Sequence, residues 1–275
     1  MAFEVCFWGV RGTIACPSMS HARYGGNTSC VQLRLDDSVI IFDAGTGIRE
    51  LGNDLQKQKT REAHLLMSHT HWDHINGFPF FAPGYDSNWS FKIMAGHLSG
   101  SESGIEEVLN AQMVSPMFPV PLETMQAKLN FEDFKAGEQF KIASNVNIRT
   151  APLRHPNGAT GYRVEYNGKS VCYITDTEHI PEKPDQNILE LIEDSDLVIY
   201  DSTYTEEEFL TKAGWGHSTW NEGLSLCQSA NVKKLAIFHH DPNHDDDFMD
   251  GIEAEALSTS ENCFVAREGM IISLD

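Results

Sequence analysis

What this 275-residue chain lacks narrows the reading first. Positive charge is scarce: 20 lysines and arginines face 40 aspartates and glutamates, a formal net charge of −20. An evenly acidic surface repels a nucleic acid backbone, so a long RNA or DNA partner is disfavoured and a small anionic substrate is expected. No run approaches the ~20 apolar residues that cross a bilayer, which argues against a membrane span. The opening Met1-Ala2-Phe3-Glu4-Val5-Cys6-Phe7-Trp8 lacks the basic start and cleavage site of a signal peptide and reads as a strand. The cysteines (Cys6, Cys16, Cys30, Cys172, Cys227, Cys263) are scattered, with no CxxC. That usage suits reduced, mostly buried thiols in a cytoplasmic protein. Low-complexity tracts, long linkers and solenoid-spaced repeats are missing too, so 1–275 reads as one domain. Its 41% hydrophobic residues suffice for a substantial core.

What is present is concentrated. His69, His71, Asp73 and His74 fall within Ser68-His69-Thr70-His71-Trp72-Asp73-His74, directly after the apolar run Ala63-His64-Leu65-Leu66-Met67. A strand that ends in a loop packed with His and Asp takes polar groups out of water at the edge of the core. A bound cation makes that tolerable. Four ligands are too many for one tetrahedral ion that must keep a reactive position open, so the cluster reads as half of a two-metal site. The bland alternative is a polar surface loop.

Strands are expected at Val5 to Trp8, Cys30 to Leu35, Val39 to Phe42 and Ala63 to Ser68. A less regular region follows, about 77 to 135, which could serve as a lid, a dimer surface or plain packing. Within it Ser103-x-x-Glu106 reads as a capping box, with Ile105, Val108, Leu109 and Met113 on one helix face. Strands resume at Val146 to Ala151, Tyr162 to Tyr166 and Val171 to Thr175. Helices are expected over Ile188 to Ile192, from a second box at Thr219-x-x-Glu222, and over Asp245 to Leu257. Leu197 to Tyr200 and Leu235 to Phe238 read as strands. Two strand-rich blocks, each followed by helices, fit two sheets facing each other with helices outside. His155, Asp176 and His239 each come just after an apolar strand, where further ligands of a two-metal site should sit.

These residues together resemble the metallo-β-lactamase fold superfamily over nearly the whole chain. Its five motifs occur in order, as Asp43 in Phe42-Asp43-Ala44-Gly45-Thr46-Gly47, the His69 to His74 cluster, His155, Asp176 and His239. The resemblance implies an α/β fold, an αββα four-layer sandwich of two facing mixed β-sheets with helices outside. It implies that His69, His71 and His155 hold one metal, that Asp73, His74 and His239 hold a second, and that Asp176 bridges them. Asp43 would support the ligands from behind. Asp201-Ser202-Thr203, Gly216-His217-Ser218-Thr219 and Phe238-His239 resemble the tRNase Z-like branch, in which the residues at Asp201 and His217 help protonate the leaving group. A basic, Gly/Pro-rich tRNA-clamping arm is not evident, which with the acidic balance points away from long nucleic acid. The resemblance also allows a homodimer.

The implied function is binuclear metal-dependent hydrolysis of a small, cyclic nucleotide or related phosphodiester. Two divalent ions (Zn, Mn or Fe) about 3.5–4 Å apart can hold a bridging hydroxide and clamp phosphate oxygens. His217, oriented by Asp201, is the candidate acid, and Asp73 the candidate to steer the nucleophile's proton. Ester, thioester or lactone hydrolysis on the same site is the alternative. A non-hydrolytic di-iron sensor is disfavoured because redox branches usually carry Glu where this chain has His71. Gly25-Gly26-Asn27-Thr28 reads either as backbone donors for a phosphate or as a tight turn. His240 and His244 read as capping or supporting residues, and His21, His64, His97 and His179 as structural. Asp245-Asp246-Asp247 reads as a solvated helix start.

Overall fold

Alternating apolar residues build the first strands of the computed structural model, which describes residues 3–36 and 38–274. Met1 and Ala2, part of the N-terminal strand expectation, lie outside the described residues. In β1 (Phe3–Gly9), Phe3, Val5 and Phe7 point into one core cluster. The chain continues through β2 (Cys30–Leu35), β3 (Ser38–Phe42), α1 (Ile48–Leu55), β4 (Glu62–Met67), α2 (Trp72–Ile75), β5 (Ser90–Ala95), α3 (Ile105–Gln112) and β6 (Lys128–Asp133). Then come β7 (Gln139–Ala143), β8 (Val146–Leu153), β9 (Ala159–Tyr166), β10 (Lys169–Ile174), α4 (Gln186–Ile192), β11 (Leu197–Asp201) and α5 (Glu206–Lys212). It closes with α6 (Trp220–Ser229), β12 (Leu235–Phe238), α7 (Asp246–Thr259), β13 (Cys263–Val265) and β14 (Ile271–Ser273).

Among the described residues these strands form two 7-stranded sheets, β14-β1-β2-β3-β4-β5-β6 and β13-β12-β11-β10-β9-β8-β7. Each sheet is antiparallel on one side and parallel on the other: β3, β4, β5 and β6 run parallel, as do β10, β11, β12 and β13. Parallel strands are buried on both faces, which explains the unbroken apolar runs at 65–67, 197–200 and 235–238. One core fills the space between the sheets; Phe42 stacks on Tyr173 there, with ring centroids 4.7 Å apart. Two outer cores lie beneath the helices, one under α1 and α3, the other under α4, α6 and α7. This is the expected αββα sandwich of two facing mixed sheets.

Two local expectations need correction. Part of 77–135 is regular: β5 and β6 extend the first sheet. Lys92, Lys128 and Glu132 on these outer strands hid the pattern. The α3 cap is shifted by one residue. Gly104 is the N-cap, Glu107 accepts from its N–H, and Asp133 on β6 accepts from Ile105 N. A tertiary carboxylate thus replaces the local Ser103 cap. At α6, Thr219 does cap, accepting from Glu222 N at 3.3 Å.

Candidate metal centre

Asp43 and the expected ligands all come just after strands. Asp43 follows β3, His69 and His71 follow β4 with Asp73 and His74 next in the short helix α2, His155 follows β8, Asp176 follows β10 and His239 follows β12. Three of these take left-handed backbones: Asp43 (φ 59°), Asp176 (φ 54°) and His239 (φ 64°). Non-glycine residues adopt that region at a cost of about 1–3 kcal/mol, and such strain collects at functional sites. It swings Asp176 and His239 off their strands toward one shared point, and Asp43 toward the back of His74.

The ligand atoms form two connected groups, His69, His71 and His155, and Asp73, His74, Asp176 and His239; within each group they lie within 4.8 Å of one another. Asp176 reaches both. Its Oδ1 is 3.2 Å from Nε2 of His74 and 3.2 Å from Nε2 of His239. Its Oδ2 is 3.5 Å from Nε2 of His69 and 3.6 Å from Nε2 of His155. Further edges run His71 Nδ1 to His155 Nε2 (3.0 Å), His74 Nε2 to His239 Nε2 (3.2 Å) and Asp73 Oδ2 to His239 Nε2 (3.3 Å). A tetrahedral ion with bonds of about 2.0–2.1 Å sets its ligand atoms about 3.3 Å apart. These spacings match the edges of such a polyhedron.

The far side of each ring explains the near side. His74 Nδ1–H donates to Asp43 (2.8 Å), and His155 Nδ1–H donates to the Gly216 carbonyl (2.7 Å). His239 Nδ1–H meets Thr203 Oγ1 (2.9 Å), and His69 Nδ1–H meets Ser68 Oγ (3.1 Å). Each outer contact fixes the tautomer and turns a bare Nε2 inward. His69 Nε2 is buried without a hydrogen-bond partner. Buried lone pairs converging with carboxylates fit divalent cations, and two ions suit the two groups that share Asp176.

Burial opposes protonation of His74, yet Asp176, Asp73 and Asp43 outweigh it and hold its pKa well above the ordinary value. Burial also opposes ionisation of Asp176, but His239, His74 and His69 reverse that and hold its carboxyl well below the usual range. His69 and His155 are pushed down, chiefly by burial, which keeps them neutral and able to ligate.

His217 and Asp201 stand beside the centre. His217 Nδ1 lies 3.0 Å from Asp201 Oδ2, and its ring stacks on His239. Asp201 also accepts from Thr177 N (3.0 Å), Thr203 N (3.1 Å) and Thr203 Oγ1 (2.8 Å). Its acceptor capacity is spent within the protein, so it orients His217 rather than reaching a metal. Burial lowers the pKa of His217, but Asp201 and Asp176 outweigh it and raise it to about 9.

Sequence reasoning missed several supports. Thr13 N donates to Asp73 Oδ2 at 2.7 Å, and Tyr173 OH to Asp43 at 2.8 Å. Ser68 donates to Asp43 through both N and Oγ at 2.7 Å. A Cβ at Gly12 would run into the His239 ring. The Gly-Thr pair at 12–13 is the only local signal for that loop. His97 lies closer to the centre than expected, bonding Thr70 Oγ1 at 3.1 Å, with its pKa pushed down to about 4 by burial. His240 donates to the Ala266 carbonyl and His244 pairs with Glu208, so both support rather than ligate. The phosphate-donor reading of Gly25 to Thr28 fails: Gly25 N, Asn27 N and Thr28 N are spent on His21 O, Glu268 and Thr46 Oγ1.

Known proteins share this fold. A family model described as a beta-lactamase superfamily domain matches residues 39–240. A protein of Haloarcula marismortui named Ribonuclease Z is 23% identical over 87% of this chain and 86% of its own length. The crystal structure of human tRNase Z, short form, superposes with a TM-score of 0.71 at 16% identity, covering 99% of both chains. A diphosphatase from the PhnP family superposes at 0.73 with 15% identity, covering 99% of this chain and 98% of its own. The exclusion of long nucleic acid does not survive, because relatives matched over most of the chain are named for cutting RNA. The physical reason is that net charge sums a whole surface, whereas a nucleic acid meets one cleft. The acids are also unevenly placed, as Asp246, Asp247 and Asp250 are, gathered around the single Arg23. Among the described residues no helix is long and apolar enough to cross a membrane.

Proposed function

This chain belongs to the beta-lactamase superfamily, in its tRNase Z-like branch, and is a metal-dependent hydrolase; on that premise we propose that it cleaves phosphodiesters at a pair of divalent ions, with 1–275 working as one hydrolase domain. The observation that carries this is Asp176, one oxygen facing His74 and His239, the other facing His69 and His155. His69, His71 and His155 would hold one ion, Asp73, His74 and His239 the other, and Asp176 both. Such ions supply a water nucleophile at neutral pH and neutralise charge on the phosphate.

The protein's own residues do the rest. Thr13 N fixes Oδ2 of Asp73. Among the described residues no hydrogen bond occupies its Oδ1, which is left to accept the attacking water's proton. His217 spends Nδ1–H on Asp201, so its Nε2 carries the proton for the leaving oxygen. As the P–O bond breaks, that proton passes to the departing alkoxide, which leaves as an alcohol. Asp201, fixed by the backbone N–H groups of Thr177 and Thr203, holds the imidazolium in place.

Protein loaded with Zn or Mn should bind two ions per chain and hydrolyse bis(p-nitrophenyl) phosphate, and Asp73→Ala should abolish turnover. Cyclic nucleotides and a 3′-extended tRNA precursor, run side by side, separate small substrates from RNA. A two-metal protein that leaves all of these intact while opening lactones or thioesters would overturn the proposal.

A further inference from the structure

The sequence holds five tryptophans, and two are strongly exposed: Trp72 at 82% and Trp215 at 65%. Both adjoin the centre. Trp72 stands between His71 and Asp73, and Trp215 lies two residues before His217. Their loops also meet at one residue of it, His155. His71 Nδ1 touches His155 Nε2, while the Gly216 carbonyl, next to Trp215, accepts from His155 Nδ1. One imidazole ring is all that separates the two loops.

The Trp215 loop is built rather than loose. Gly214 (φ 92°) and Gly216 (φ 88°) take left-handed backbones, and Glu178 accepts from both of their N–H groups, at 2.7 and 2.9 Å. A Cβ at Gly216 would strike the His155 ring and Pro156. Beside this loop, Arg154, His155, Pro156, Glu178, Gly214 and Gly216 line a cavity of about 240 Å³. Glu178 spends its charge on the loop. Arg154 is exposed, and among the described residues no hydrogen bond or ion pair holds its guanidinium. In a chain with twice as many acids as bases, an uncommitted cation next to a metal-site histidine is a distinct feature.

We propose that Trp72, Trp215 and Arg154 form a recognition rim for the substrate beyond the scissile phosphodiester: the indoles stack nucleobases, and Arg154 takes a further phosphate. The substrate class is then a nucleobase-bearing phosphodiester with more than one phosphate, either a free dinucleotide or the end of a single strand. This rests on the phosphodiesterase reading and specifies its substrate. Stacking on an exposed indole suits any base, and guanidinium groups pair with phosphate bidentately.

The test follows tryptophan emission of the metal-loaded protein during titration with a 5′-phosphorylated dA–dA dinucleotide joined by a non-cleavable methylphosphonate. Saturable quenching is expected, and weak or no response to ribose 5-phosphate, which lacks a base. Trp72→Ala and Trp215→Ala should each weaken binding about tenfold with metal content unchanged. Arg154→Ala should weaken the 5′-phosphorylated ligand but not its unphosphorylated form, and Arg154→Lys should restore part of the loss. A ten-nucleotide ligand of the same linkage that binds much more tightly assigns the rim to a polynucleotide; equal affinity assigns it to the dinucleotide. Ribose 5-phosphate binding as well as the dinucleotide, or three variants with wild-type affinity, would overturn the rim. Turnover of bis(p-nitrophenyl) phosphate without nucleotide quenching sinks the rim alone. Quenching without turnover of any phosphodiester sinks the phosphodiesterase reading and leaves a nucleotide site.

Discussion

Asp43 and Asp176 stand at matching places in the two sheets. Each follows the last strand of an antiparallel run of four, β14-β1-β2-β3 or β7-β8-β9-β10, just where a parallel neighbour begins. Each is buried and left-handed. Their surroundings differ in kind. Asp43 is ringed by hydrogen donors: Ser68 N, Ser68 Oγ, Tyr173 OH and His74 Nδ1–H. Asp176 accepts one hydrogen bond, from Thr175 Oγ1 (2.7 Å), and otherwise faces four Nε2 atoms of rings whose Nδ1–H groups are spent elsewhere. A carboxylate among donors is already balanced, whereas one among imidazole lone pairs is completed by cations. The same backbone device thus yields a support in one half and, on the function proposed above, a metal bridge in the other.

The comparison breaks most directly at these two residues. Asp176→Asn should cost about 10³-fold or more in turnover, with loss of bound metal that excess metal does not restore. Asp43→Asn presents an amide N–H₂ to His74 and should weaken metal affinity about 10- to 100-fold, with turnover largely recovered in excess Zn or Mn. Metal analysis and turnover on the same samples decide it. Equal, unrescued losses at both positions would erase the distinction.

His217→Ala comes next. It should leave metal content intact and slow cleavage of an alkyl phosphodiester about 10²- to 10³-fold. Cleavage of bis(p-nitrophenyl) phosphate should suffer far less, because p-nitrophenolate leaves without a proton. Equal losses on both substrates would make His217 structural. A smaller effect is expected at Thr203→Val, which removes the acceptor behind His239. Metal affinity should fall about tenfold, read by competition with a chelating dye.

How legible each half was follows from the range of its interactions. The strand-end ligands could be read because each comes directly after an apolar run, as Asp176 does after 171–175. The two blocks of strands announced the two sheets. Thr13, Tyr173 and Gly12 could not be read, since they reach Asp73, Asp43 and His239 across long stretches of sequence. The α3 cap moved for the same reason, because Asp133 arrives from β6. Net charge misled about nucleic acid because it carries no position.

A third buried aspartate sharpens the contrast most gently. Asp196, just before β11, is balanced by cations the chain itself provides: Lys233 at 2.8 Å and Lys169 at 3.5 Å, with Ser170 N donating at 2.8 Å. Burial opposes its ionisation, but Lys233, the Ser170 N–H and Lys169 outweigh that and hold its pKa below the ordinary value. A depressed carboxyl pKa stabilises the fold above the unfolded value, about 3.9, and the benefit fades as pH falls through the folded value. Asp196→Asn should therefore cost about 1–2 kcal/mol at pH 7, and the deficit should shrink as the pH is lowered below about 4. Denaturant melts at the two pH values test the sign. Because lysines already supply the balancing charge, the stabilisation gained on adding Zn should match wild type in Asp196→Asn but be lost in Asp176→Asn. A variant of Asp196 that changed the metal response would mean that the far end of the sheet is coupled to the centre, and the division among the three aspartates would fail.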